Sequence, residues 1–253
     1  MSTYGSSPFA NIPPVVKNLL IINVICYIAA QLFHNQFYTL FPIYYYESPL
    51  FKIWQPITYM FMHSSSSIMH ILFNMFALFT FGGAVENRLG SKRFLNYYLL
   101  TGLGAIVLQF IVQNIELYNI TGFVFNRALI WDLTKVSEEN FTYQYAHDLI
   151  TAGQADKIVG AFISPMVGAS GAIFGVLIAF GMLFPEVELY IMFVPIPIKA
   201  KYLIPVYIVI ELSLGVAKIS GDSVAHFAHI GGALFGYILL KLWRINRSRK
   251  FYE

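Results

Sequence analysis

The chain has 253 residues, of which 57% are hydrophobic and only 11% charged, whereas a soluble domain carries about 25% charged residues. Too little polar surface exists to cover such a chain in water, so a bilayer is the better solvent and a soluble globular enzyme is excluded. The net charge of +3 is too small to argue for a nucleic-acid partner, and the single cysteine, Cys26, excludes a disulfide framework.

In chain order, a short N-terminal segment (1–14) precedes a first apolar run at about 15–33. No small-residue cleavage pattern follows that run, so it reads as a retained span and not as a signal peptide. Further apolar runs at about 66–84, 94–116, 168–185, 201–217 and 224–243 bring the predicted spans to six, each near the ~20 residues a helix needs to cross the hydrocarbon. The connection 117–166 is the least hydrophobic part and carries Asp132, Glu138, Glu139, Asp148 and Asp156, with some helical spacing in AHDLITAGQADKIV. Loops beyond ~12–15 residues usually serve a function or move. The run LYIMFVPIPI (189–198) is about half a span long and is broken by Pro195 and Pro197; it is expected at the interface as a re-entrant turn or amphipathic hairpin. A basic tail (246–253) ends the sequence.

An even number of spans puts both termini on one side. That side holds Lys17, the basic cluster Arg88, Lys92 and Arg93, then Lys199, Lys201 and every basic residue from Lys241 onward. The other side keeps Lys52, Arg127, Lys135, Lys157 and Lys218. Basic residues favour the cytoplasmic face, so both termini are expected to be cytoplasmic.

Polar side chains inside spans are costly, and each is a functional-site hypothesis. Four stand out: His70 and Asn74 in the second span, Ser170 in the fourth and His229 in the sixth. With this topology all four fall at one depth, in the outer half of the bilayer, which scattered packing residues have no reason to do. His70 and Asn74 are i and i+4, on one helical face. Gly171 and Gly175 form a small-residue row beside Ser170, and Gly232 and Gly236 form another after His229. Such rows let helix backbones approach closely. If the two rows face each other, His229 can hydrogen-bond the Ser170 hydroxyl and take its proton, which a serine needs before it becomes a nucleophile. The Ser170 N–H, His70 and Asn74 would then hold an oxyanion. Phe174, one turn beyond Ser170, is the expected ring neighbour of His229.

A structural reading competes at every one of these positions. Serine is an ordinary small residue at membrane helix contacts, and His70 with Asn74 could simply tie helices together. His226 reads as a supporting residue. No carboxylate is expected to orient His229: Asp222 falls in an outer loop, and Glu211, in the fifth span, is assigned no chemistry. The His226/His229 pair alone is weak grounds for a metal, since no carboxylate or cysteine is seen to join it. The expectation is therefore a two-residue site with no metal and no cofactor.

The motifs themselves resemble the rhomboid family of intramembrane serine proteases. HILFN followed by FGGAVENRLGSKRF is similar to the family's H-x-x-x-N span and G-x-x-x-E-x-x-x-G turn, GASG to its G-x-S-G nucleophile motif, and AHIGGALFG to its A-H-x-x-G-x-x-x-G. The resemblance covers roughly 50–245 and implies an all-α, polytopic six-helix membrane bundle with a short central fourth span, in a domain over 15–245. It implies Ser170 as nucleophile, His229 as general base, and Gly168, His70 and Asn74 around the oxyanion hole. The implied reaction is hydrolysis of a single-span membrane protein near the outer end of its span, in the lipid bilayer of a bacterial cytoplasmic membrane. A non-catalytic membrane-protein-binding relative, or a small-solute channel or transporter, is the alternative. The sequence departs from the family pattern at Trp54-Gln55, where many members carry Trp-Arg, at Phe174, often a tyrosine, and in the long 117–166 insertion.

Overall fold

A computed structural model describes residues 12–124, 152–191, 194–217 and 225–245. Most of the N-terminal segment, the middle of the 117–166 insertion with Asp132, Glu138, Glu139 and Asp148, the loop carrying Asp222, and the basic tail lie outside the described residues.

Helix α1 (Pro14–Leu32) opens on a proline, whose missing N–H would have no intrahelical partner there. Val16, Leu19, Asn23 and Ala30 form its narrow buried stripe, while Ile21, Ile25, Ile28 and Leu32 point outward. Apolar residues on both faces are what a lipid-facing helix requires. The connection that follows contains α2 (His34–Leu40), α3 (Gln55–Thr58) and a tight turn at Tyr59–Phe61. Gln55 is fully buried and knits this connection to itself. Its Oε1 accepts the Lys52 N–H at 3.0 Å and its Nε2 donates to the Leu50 carbonyl at 3.0 Å. Beside it, Trp54 Nε1 donates to the Leu40 carbonyl at 3.0 Å.

Helix α4 (Ile68–Leu89) is locally widened at Leu78–Gly82. Near its end Glu86 is buried, and its carboxylate accepts the Val15 and Val16 amides of α1 at 3.0 and 2.7 Å and the Ser91 hydroxyl at 2.7 Å. Those amides are among the unpaired donors of the α1 N-terminus, where negative charge is favourable. The glutamate of the G-x-x-x-E-x-x-x-G turn thus ties α1 to the junction of α4 and α5 (Ser91–Thr121).

Helix α5 is longer than expected, at 31 residues, or about 46 Å at 1.5 Å per residue. Its surplus length carries a second small core. Helix α6 (Ala152–Ile163), from the end of the insertion, sets Ile158 and Phe162 against Leu117 and Tyr45. Ser48 Oγ donates to the Phe162 carbonyl at 2.7 Å, and Gln113 Nε2 to the Ala161 carbonyl at 2.8 Å.

Helix α7 (Ser170–Leu183) packs against α5 and α9 (His226–Leu242). It is 14 residues long and ten of them are buried. Between α7 and α8 (Ala200–Ala217) the chain forms an antiparallel hairpin, β1 (Glu188–Ile191) with β2 (Val194–Lys199), pairing Tyr190 with Pro197. The expected helical class holds as a mostly helical fold, and among the described residues one two-stranded sheet stands where a re-entrant turn or hairpin was expected. Two prolines two residues apart exclude a helix interior but tolerate an unpaired strand edge.

Apolar helices therefore occupy all six predicted stretches. Four of them, α1, α4, α5 and α8, are long and apolar enough to cross a membrane, while α7 and α9 are shorter.

Candidate active site

Ser170 is the first residue of α7, and the backbone enters that helix through Gly168 at φ +132°. Side chains with a Cβ rarely adopt that conformation. Space there is tight as well: a Cβ on Gly168 would lie 3.0 Å from His70 Nε2 and 3.4 Å from Ser170 Oγ. The nucleophile candidate and the His70 ring therefore converge on a bare backbone position. The Ser64 N–H donates to His70 Nδ1 at 3.3 Å, so the neutral ring carries its proton on Nε2, the nitrogen that faces Gly168. Asn74, one turn deeper on α4, is buried and donates from Nδ2 to the His70 carbonyl at 2.8 Å. His63, fully buried, meets the His70 ring edge-on at 5.3 Å; burial holds its pKa down to about 3, so it stays neutral.

His229, in the first turn of α9, places Nε2 2.8 Å from Ser170 Oγ. The ring lies flat on Phe174, with centroids 4.3 Å apart and planes 8° from parallel. Tyr207 of α8 packs on Phe174 in turn, tilted by 33° with centroids 5.2 Å apart. The two glycine rows meet: a Cβ on Gly232 would fall 1.8 Å from the Gly171 carbonyl oxygen, and one on Gly236 3.0 Å from the Gly175 Cα.

One residue that sequence reasoning set aside belongs to this cluster. Glu211 of α8 is buried, and its Oε2 sits 2.8 Å from His229 Nδ1 and 2.7 Å from His226 Nδ1. The expectation that no carboxylate reaches His229 is corrected by this contact. It joins two helices across 18 positions of sequence, which no helical spacing reports; the available signal was a carboxylate in an otherwise apolar segment. The same contact corrects the view that nothing joins the His226/His229 pair. One ligand-type atom from each of Glu211, His226 and His229 lies within 4.8 Å of the others, a set a divalent cation could bridge, although these atoms already satisfy one another by hydrogen bonds.

Polar groups that converge in an apolar helix bundle, with a serine and a histidine in hydrogen-bond contact, fit the class of polytopic membrane proteins. The rhomboid-domain family model matches residues 50–245. Among curated proteins, the chain is similar to rhomboid protease GlpG of Salmonella choleraesuis (strain SC-B67), with 35% identity over 101 residues, 40% of this chain and 35% of the relative. It is 34% identical over the same share to the proteins of that name from Salmonella typhi and Salmonella paratyphi A. The match thus spans about a third of the length of these relatives. The chain belongs to the rhomboid family.

Proposed function

We propose that the chain is an intramembrane serine endopeptidase that cuts single-span membrane proteins in or near the outer end of their transmembrane segment. The observation that carries this reading is the 2.8 Å contact of His229 Nε2 with Ser170 Oγ, a base in hydrogen-bond reach of a nucleophile. In this reading α7 and α9 complete six spans, residues 15–245 form the protease domain, both termini are cytoplasmic, and the site opens to the outer face of a bacterial cytoplasmic membrane. The support for this placement is the excess of basic residues on the side that carries both termini.

His229 takes the Ser170 proton as Oγ bonds to the substrate carbonyl carbon. The oxyanion forms beside the first turn of α7, whose amides lack intrahelical acceptors. His70 Nε2–H and, after a small shift, the Asn74 amide add donors, and Gly168 leaves room for the substrate carbonyl. Protonated His229 then delivers its proton to the departing amine, and water repeats the sequence on the acyl-enzyme. A substrate helix hides its carbonyls by pairing them internally, so helix-weakening residues favour cleavage. Neither a metal nor a cofactor takes part in these steps.

Labelling with a serine-directed activity probe tests the proposal. The wild type is expected to label, and Ser170→Ala and His229→Ala are not. Labelling that persists in both variants would defeat the Ser170–His229 pair, and a wild type that does not label at all would return the chain to the class of non-catalytic binding relatives.

A further inference from the structure

We infer that Glu211 is the third, positioning member of a Ser170–His229–Glu211 relay, with His226 as the second donor that holds the carboxylate in place. The inference rests on the protease reading above and deepens it. A bare carboxylate inside an apolar bundle is costly unless hydrogen-bonded. Here two imidazole N–H groups reach the same oxygen, at 2.7 and 2.8 Å. The two rings stand at 87° to each other, so each approaches Oε2 from its own side.

The consequence for His229 is a fixed tautomer. A carboxylate only accepts hydrogen bonds, so the proton of the neutral ring sits on Nδ1 and the lone pair on Nε2. Nε2 is the atom 2.8 Å from Ser170 Oγ. The opposite tautomer would present an N–H to the serine and could not take its proton. When Ser170 Oγ bonds to the carbonyl carbon, its proton moves to Nε2 and the carbonyl π pair moves to the substrate oxygen. His229 becomes an imidazolium whose Nδ1–H still points at Glu211, which neutralises the charge without itself gaining a proton.

The fold shows the same relation at the backbone. Gly215 lies one turn beyond Glu211 on α8, and a Cβ there would meet His226 Cβ at 3.1 Å and the Phe227 ring at 3.3 Å. Its lack of a side chain lets the first turn of α9 close onto α8 and brings both histidines to one carboxylate. Tyr207, one turn before Glu211, supports Phe174 behind His229. Helix α8 therefore sets the ring from two sides, by charge at Nδ1 and by Tyr207 packing behind Phe174.

The test uses the full chain in lipid nanodiscs. With ¹⁵N-histidine labelling, the wild type is expected to show His229 protonated at Nδ1 and bare at Nε2; the reverse tautomer would overturn the inference, whatever any variant does. Glu211→Gln is expected to lower kcat by roughly 10²–10⁴, since losing the orienting carboxylate of other serine proteases costs about 10⁴, with KM within about twofold of wild type. A Glu211→Gln kcat within about twofold of wild type would overturn it. His226→Gln, which keeps an N–H for Glu211, should retain more kcat than His226→Leu, and equal values in the two would count against the second-donor role. If the wild type neither labels at Ser170 nor cleaves any substrate, the protease reading fails, while the tautomer measurement still decides the Glu211 contact.

Discussion

Gly232 rests on the carbonyl of Gly171, so closely that a methyl group on it would lie 1.8 Å from that oxygen. Gly171 follows Ser170 directly and Gly232 lies one turn after His229, so this contact fixes the separation of the two functional groups. Gly232→Ala should push α9 off α7. The expected outcome is loss of probe labelling and a destabilisation of about 1–3 kcal/mol, read by labelling and thermal unfolding of the same sample.

His70 and Asn74 are expected to differ in weight. His70 aims Nε2 at the Gly168–Ser170 corner, whereas Asn74 has one N–H engaged by the His70 carbonyl. Removing one oxyanion donor costs roughly 10²–10³ in kcat. His70→Ala should fall in that range and Asn74→Ala at or below its lower end, with both still above Ser170→Ala in a cleavage assay.

Phe174 covers one face of His229 at 4.3 Å. Phe174→Ala leaves a cavity between His229 and Tyr207 and is expected to cost about 3–5 kcal/mol, with kcat falling more than KM rises. Phe174→Tyr keeps the stacked ring and should cleave within severalfold of wild type. A Phe174→Ala variant with unchanged kcat would separate the stack from the chemistry.

Glu86 accepts three hydrogen bonds at the α1–α4–α5 junction. Glu86→Ala strands the buried Val16 amide and the half-buried Val15 amide and should destabilise the fold by about 1–3 kcal/mol, mostly through the Val16 amide. Because Glu86 lies far from Ser170 in the chain and at the other end of α4 from His70, KM is expected to stay unchanged in folded protein. Thermal unfolding with cleavage kinetics on the surviving fraction checks both parts.

Glu186 anchors the hairpin through Lys199 at 2.8 Å and Lys201 at 2.7 Å. Hydrogen bonds from these two lysines lower its pKa from the ordinary 4.5 to about 2. A depressed carboxylate contributes stability above its unfolded pKa and loses it as pH falls through the folded one. The contribution is therefore complete above about pH 4.5 and lost towards pH 2, and it is small because the pair is solvated and screened by salt. Glu186→Gln should remove that part of the acid sensitivity in thermal melts between these pH values, and the difference should shrink at high salt.

The sequence displayed α1, α4, α5, α7, α8 and α9 because each is an apolar run, and it displayed Ser170 and His229 because glycine rows and motifs mark them. Pro195 and Pro197 announced an interruption, although only the paired strands identify it as a sheet. Glu211 stayed hidden because its contacts cross from α8 to α9, and composition alone could not tell a structural carboxylate from one aimed at a histidine. Gln55 was legible only as a departure from a pattern. Its function as a hydrogen-bonding centre depends on the carbonyls and amides that the loop folds around it. The length of α7 was overestimated by two residues at each end, since hydrophobicity does not distinguish a helix wrapped by protein from one wrapped by lipid.

That short helix has a further consequence. At 14 residues it is about 21 Å long, against a hydrocarbon thickness of ~30 Å. The mismatch is borne by protein neighbours and not by lipid, because α7 is mostly buried. Depth of immersion and depth of reaction are therefore governed by different parts of the molecule. On the proposed protease reading, the outer helices would float the protein at a level set by the surrounding membrane, while the starting point of α7 would set how far below the surface a bond is cut. Thickening or thinning the lipid would move the first against the second, so on that reading the cut position in a given substrate would report bilayer thickness.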